Sequence, residues 1–278
     1  MFFLFFFGGV LISLISFLGP EGTFTHEAAS NFGDELIPFC TIPAVMESVH
    51  SDECSYGVVP IENSIEGPVG ITLDQLAHKY DLKIFNEIVI PINQNLVVNP
   101  GTKMEDIEDV YSHAQAIAQC QEYIRNHKIQ PHYEVSTARA AKSIVGDKSK
   151  AAISNAKVVE LYGLEILESN IQDMDNNETR FVVLSKEYHE MTGKDKTSII
   201  FSIYEDHPGG LYNILGIFQK NNINLTKIES RPSKEGLGKY LFFVDFNGHI
   251  DDVLVQDILN EIKENTYFFK VLGSYPEF

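Results

Sequence analysis

The chain has 278 residues, 44% of them apolar, and carries 39 Asp plus Glu against 21 Lys plus Arg for a formal charge of −18. That length supports two cores, and the charge excludes a protein whose main partner is a nucleic-acid backbone, because no basic patch overrides the acidic average. Cys40, Cys54 and Cys120 lie far apart and form no CxxC pair, the pattern of a reducing compartment.

Residues 1–19, MFFLFFFGGVLISLISFLG, are almost wholly apolar. They lack the basic flank and small-residue cleavage site of a signal peptide, and no Lys or Arg orients them as a membrane anchor. The expectation is therefore divided: residues 14–18 form the first buried strand, and residues 1–10 are a surplus apolar extension. From there to about residue 186, short apolar runs alternate with helical segments, which predicts an α/β unit. Strands are expected at 15–18, 56–60, 82–89, 94–98, 109–111, 151–154 and 180–184. Helices are expected at 25–32, 42–48, 71–78, 114–125, 137–143 and 155–161, with Ser136 capping the fifth of them. The polar stretch SKEYHEMTGKDK, residues 185–196, reads as a linker. After it, a strand at 197–204, a helix on LYNILGIFQK, strands at 223–230 and 240–246, a helix near 251–264 and a strand at 268–272 follow the split βαβ order, βαββαβ.

Four polar stretches at strand ends can converge on a small molecule. GPEGTFTHEAA (19–29) offers close backbone approach and a helix start for an anionic oxygen, or a simple turn and N-cap at Thr23. VVPIENSIEGPVG (58–70) ends a strand in Glu62, Asn63 and Ser64, which can orient a substrate or close an Asx turn. YSHAQAIAQCQEY (111–123) brings Ser112, His113 and Gln115 to a strand-to-helix junction without the orienting acid of a hydrolase, so a capping Ser and a surface His read equally well. NIQDMDNNETRF (170–181) ends in adjacent Thr179 and Arg180, which point to opposite faces of an extended strand unless the loop twists. A guanidinium there can meet carboxylates and a threonine hydroxyl can donate a proton, or the pair simply starts a strand. There is no Walker A loop, GxGxxG or HExxH, so neither a nucleotide nor a metal is expected.

In this order, and with STARAAKSI, AAISNAKVVELYGL and IESRP, these stretches resemble the prephenate dehydratase family, whose members carry a C-terminal ACT regulatory domain. The resemblance covers residue 15 to the C-terminus. It implies a two-lobed, periplasmic-binding-protein-like catalytic domain at 13–187, with lobe 1 at about 13–89 plus 164–187 and lobe 2 at about 90–163. A linker at 188–196 and a ferredoxin-like ACT domain at 197–278 would follow. It also implies loss of CO2 and water from prephenate to give phenylpyruvate, in a cytoplasmic homodimer or homotetramer with no cofactor, metal, nucleic-acid or stable membrane partner, and with no chorismate mutase domain. By the same resemblance Thr179 donates the proton to the departing hydroxyl, and Arg180 binds a substrate carboxylate or supports Thr179. Asn63, Ser64, Ser112 and Gln115 position the substrate, Glu62 orients a neighbour, and Thr23 belongs to the pocket. Gly209, Gly210, Leu211, Glu229, Ser230 and Arg231 would bind L-phenylalanine as an allosteric inhibitor. HPGGL, and His113-Ala114 in place of His-Pro, depart from the commoner family pattern. Arogenate dehydration and a non-catalytic amino-acid sensor are the alternatives.

Overall fold

The computed structural model describes residues 13–204 and 208–278; the apolar extension expected at 1–10 lies outside them. Strand β1 (Ile15–Leu18) is buried on both faces, as a short apolar run between two helix layers requires. It pairs in parallel with β2 (Leu36–Phe39) and β3 (Tyr56–Asn63), reached through α1 (Phe24–Ser30) and α2 (Ile42–His50). Two-residue alternation divides β3 between the layers. Val58 packs with Ile15, Phe17 and Ala28, and Val59 with Val45, Met46 and Val49. β4 (Gly67–Pro68), α3 (Gly70–His78) and β5 (Lys83–Pro91) follow.

The chain then crosses to a second lobe: β6 (Asn95–Val98), β7 (Asp109–His113), α4 (Ala114–Ala118), α5 (Gln121–His127), β8 (Gln130–Glu134), α6 (Thr137–Ser143), β9 (Lys150–Ser154), α7 (Lys157–Tyr162) and β10 (Glu165–Glu168). β11 (Glu178–Ser185) returns to the first lobe, antiparallel to β3 and β5. The sheet orders are β2-β1-β3-β11-β5 and β10-β6-β9-β7-β8. Two expectations are corrected here. β10 pairs with β6, so residues 164–168 belong to the second lobe and the return runs through 169–177; β5 likewise carries the first lobe on to Pro91. The helix expected at 114–125 is broken at Gln119 and Cys120. The Gln119 carbonyl accepts from the Asp173 N–H at 2.7 Å, and the Asp173 carboxylate accepts from the Glu122 N–H at 3.2 Å, so the returning segment takes over bonds a continuous helix would make internally.

The parallel strands β1 and β3 of one lobe and β7 and β9 of the other end in the loops that carry the polar stretches, which places the crevice at those ends. The lobes touch at the 19–23 loop. A Cβ on Gly22, whose φ is +85°, would lie 3.1 Å from Val158 and 3.2 Å from Leu161 of α7, so only glycine fits there without displacement.

The C-terminal unit comprises β12 (Asp195–Ser202), α8 (Gly210–Lys220), β13 (Leu225–Pro232), β14 (Tyr240–Asn247), α9 (Val253–Glu264) and β15 (Phe268–Pro276), in sheet order β13-β14-β12-β15. Its first strand starts at Asp195, inside the segment expected to be linker. Alternation along β12 again sorts side chains: Ile199 and Phe201 meet α8 and α9, whereas Ile200 faces the first-lobe sheet. On that second face Ile200, Leu241, Phe243, Leu272 and Tyr275 share one core with Val59, Ile61, Ile84, Val182 and Leu184. Gly273 sits where β15 crosses β5, and a Cβ there would overlap the Ile84 carbonyl. The two domains are therefore packed through a common apolar layer rather than strung on a tether.

Candidate active site

Thr179 and Asn63 are directly opposed in the β3–β11 ladder, both largely buried. The Asn63 Oδ1 accepts the N–H groups of Ile65 and Glu66 at 3.0 and 2.9 Å, which fixes the carboxamide with its NH2 turned towards β11. From there Nδ2 reaches the Thr179 Oγ1 at 2.9 Å and the Asn177 Oδ1 at 2.7 Å. Asn177 in turn donates to the Gln119 Oε1 at 3.0 Å, and Gln94 donates to the same oxygen at 3.3 Å. Each amide fixes the next, so the chain is directional. Two consequences follow: the Thr179 oxygen accepts from Asn63 and keeps its proton for another partner, and the Gln119 NH2 is left unpartnered. The network also ties β3 and β11 of the first lobe to the end of α4 in the second.

Ser64 fastens the start of β11: its Oγ accepts the Glu178 N–H at 2.9 Å and donates to the Asn176 carbonyl at 3.0 Å. Ser112 is fully buried and donates to the Ile153 carbonyl at 2.6 Å, joining the ends of β7 and β9. Gln115 is exposed on the first turn of α4, and His113, the residue before that helix, caps it through Nδ1. Thr23 is the N-cap of α1; its Oγ1 accepts the His26 N–H at 3.2 Å and donates to the Pro20 carbonyl at 2.9 Å. His26 accepts the Gly22 N–H at 3.0 Å, and burial, then Lys157, pushes its pKa down, so the imidazole is neutral and holds the loop. Cys120 is no nucleophile, since burial pushes its thiol up to about 12.

Arg180 is not in the crevice. Its Nε donates to Glu87 at 2.6 Å, one terminal nitrogen to Asp245 at 2.6 Å and the other to the Tyr275 hydroxyl at 2.7 Å, so it is anchored in the ACT domain and in β5. Burial opposes its charge, but Tyr275, Asp245 and Glu87 more than offset that and raise its pKa well above the ordinary value. Glu62, opposite Arg180 in the ladder, turns the same way and accepts from Lys227 at 2.7 Å. The expectation that Arg180 binds a substrate carboxylate gives way to the strand's alternation: with Thr179 and Asn63 on the crevice side, Arg180 lies on the side the ACT domain covers, and so does Glu62, expected to orient a neighbour, which meets Lys227 there. Cationic charge beside the 19–23 loop comes instead from α6, where Arg139 and Lys142 line a 440 Å³ hollow with Pro20, Ser143 and Tyr162.

In the ACT domain, Gly209 has φ +91° at the start of α8, Gly210 opens that helix, and Leu211 packs against the domain core. Because β12 and β13 both run antiparallel to β14, this loop and Glu229–Arg231 lie at the same end of the sheet. Arg231 reaches out of the domain: it pairs with Asp74 of α3 at 3.1 Å, beside Lys234 at 2.9 Å. Among the described residues no group of three His, Cys, Asp or Glu is placed to hold a metal ion, and no helix is long and apolar enough to cross a membrane. Asn177 is not singled out from sequence and Gln119 is given no role there; both lie in stretches that are singled out, 170–181 and 111–123.

Residues 15–189 match the model of the family described as Prephenate dehydratase, and residues 197–264 match the ACT domain. The chain is 44% identical over 268 residues to the bifunctional chorismate mutase/prephenate dehydratase of Aquifex aeolicus, covering 95% of this chain and 73% of that one. It is 42% identical over 271 residues to the prephenate dehydratase of Methanocaldococcus jannaschii, covering 93% and 96%. The crystal structure of prephenate dehydratase from Arthrobacter aurescens in complex with L-Phe superposes with a TM-score of 0.86 at 36% identity, over 95% of this chain and 90% of that one. The fold, the directional amide network beside Thr179 and these likenesses agree: the chain belongs to the prephenate dehydratase family and carries a C-terminal ACT domain.

Proposed function

We propose that this chain converts prephenate to phenylpyruvate, CO2 and water, and that Thr179 delivers the proton to the departing hydroxyl. The observation that carries this reading is the Asn63 carboxamide donating to the Thr179 oxygen at 2.9 Å, which leaves the threonine proton free at the crevice. As the bond to the ring carboxylate breaks, its electron pair enters the ring, CO2 departs, and the hydroxyl leaves as water with the proton from Thr179. One proton is consumed overall, and Thr179 regains it from solvent. Aromatisation drives departure strongly enough for a weak acid to serve, and the fixed amides supply orientation. Neutral donors suit a dianionic substrate next to an already acidic protein, because they hold oxygens without adding charge.

L-phenylalanine is the expected inhibitor, bound by Gly209–Leu211 and Glu229–Arg231 in an oligomer, and the shared apolar layer with its ion pairs is the route by which the ACT domain would act on β11. The test is turnover of prephenate and of arogenate by the purified protein, each with and without phenylalanine, followed as phenylpyruvate absorbance and as phenylalanine formed. The reading expects prephenate turnover that phenylalanine depresses. Preference for arogenate would move the substrate assignment to the alanyl compound, and no turnover of either by folded protein would leave the amino-acid sensor standing.

A further inference from the structure

We propose that Asn155 positions the substrate from the second-lobe wall of the crevice, its carboxamide N–H groups donating to the side-chain carboxylate that prephenate shares with phenylpyruvate; this rests on the dehydratase reading above. Asn155 directly follows β9 and is only 2% exposed, yet neither its Nδ2 nor its Oδ1 has a partner among the described residues. A buried carboxamide with both ends unmet is costly unless a ligand meets it.

The surroundings say where that ligand enters. β9 runs parallel to β7, and Ser112 at the end of β7 bonds the Ile153 carbonyl, two residues before Asn155. On the other side of β9, Ser154 is paired with Asn95, the neighbour of Gln94, and Gln94 joins the amide chain that leads through Gln119 and Asn177 to Asn63 and Thr179. The Ser154 hydroxyl and the Gln119 NH2 are likewise buried without partners. Unmet buried polar atoms therefore lie on Ser154 and Asn155, at the end of β9, and on Gln94 and Gln119, which belong to the amide network that reaches Thr179. They are neutral, so they can hold an anionic oxygen without a counter-ion, and a carboxylate introduced among them would repel a dianion.

Asn155→Asp, Asn155→Ala and Asn155→Ser test this in the full-length protein, with KM and kcat for prephenate, calorimetric binding of phenylpyruvate, and melting temperature. The expected result is a KM raised by about tenfold or more in Asn155→Asp, the size of one lost charge-assisted hydrogen bond, with a smaller rise in Asn155→Ala, kcat changed less than KM, and phenylpyruvate affinity falling in the same order. Asn155→Ser, which keeps a short polar group, covers the case in which the aspartate does not fold. Folded variants whose KM and phenylpyruvate affinity stay within about twofold of the parent overturn the assignment. Parental turnover tests the dehydratase reading separately, because phenylpyruvate binding reports on Asn155 whether or not prephenate is consumed.

Discussion

Thr179 and Arg180 are consecutive residues that serve two different domains. The threonine hydroxyl accepts from Asn63 beside the crevice at 2.9 Å, while the arginine, turned to the other face of β11, donates to Asp245 of the ACT domain at 2.6 Å. One peptide bond thus separates the proposed proton donor from a buried ion pair between the domains, so any shift of the ACT sheet that moves Arg180 is felt at Thr179.

Arg180→Gln is expected to loosen the domain contact and leave substrate affinity nearly intact. Removing one partner of a buried ion pair costs about 3–5 kcal/mol; here Asp245 loses the arginine it pairs with, while Glu87 keeps Lys196 at 2.7 Å. Denaturant unfolding should report that loss, and KM for prephenate should stay within about twofold. A large rise in KM with unchanged stability would return Arg180 to the substrate.

Acid should weaken the same contact. Asp245 is buried, which opposes its charge, but Arg180 together with Ser198 outweighs burial and holds its pKa below the ordinary carboxylate value. In the window between the folded and the ordinary value, near pH 4, the unfolded chain binds the extra proton, so this contribution is complete above that window and is lost as pH falls through it. Melting temperature against pH should therefore drop below about pH 4, and the drop should be shallower in Asp245→Asn. Equal slopes for the two proteins would remove Asp245 from the explanation.

Gly273→Ala tests the packing of the two sheets. The added methyl overlaps the Ile84 carbonyl, a backbone atom that cannot rotate away, so a loss of stability at or above the usual 1–3 kcal/mol for overpacking is expected. A variant as stable as the parent would mean that β15 and β5 are farther apart in solution.

Arg231 pairs with Asp74 across the domain boundary, and the Asp74 carboxyl, though partly desolvated, is held below its ordinary pKa by Lys234 and Arg231. Arg231→Ala should therefore blunt inhibition by phenylalanine and weaken its calorimetric binding, whereas Asp74→Asn should blunt inhibition while calorimetry still detects the amino acid binding. Inhibition unchanged in Asp74→Asn would remove the Arg231–Asp74 pair from the route between the domains.

Much of this arrangement was legible in the residues. β1, α2, α6 and the two helices of the ACT domain are marked by apolar periodicity, and Asn63 and Thr179 stand in polar stretches that end apolar strands. Strands β2, β8 and β10 were not foreseen because they are edge strands, with Pro38 in the first, Pro131 in the second and Glu165 and Glu168 closing the third, and edges tolerate such residues. Alternation along β11 already separates Thr179 from Arg180, but nothing in the sequence says which face a second domain will cover. That is why Arg180 reads as a substrate group and proves to be a domain contact, and why Glu62 reads as orienting a neighbour without a sign that the neighbour is Lys227. Asn177 and Asn155 escaped, and Gln119 was given no role, because an amide's role depends on which neighbours consume its donors, and those neighbours come from segments far apart in the chain.

The most direct measurement is the rate of phenylpyruvate formation from prephenate by the parent protein, Thr179→Ser and Thr179→Val, all three verified as folded. The account predicts that serine, which keeps a hydroxyl within reach of Asn63, retains activity, and that valine lowers kcat by about 10²-fold or more, the usual size of a lost proton-transfer group. A folded Thr179→Val protein with near-parental kcat would contradict it.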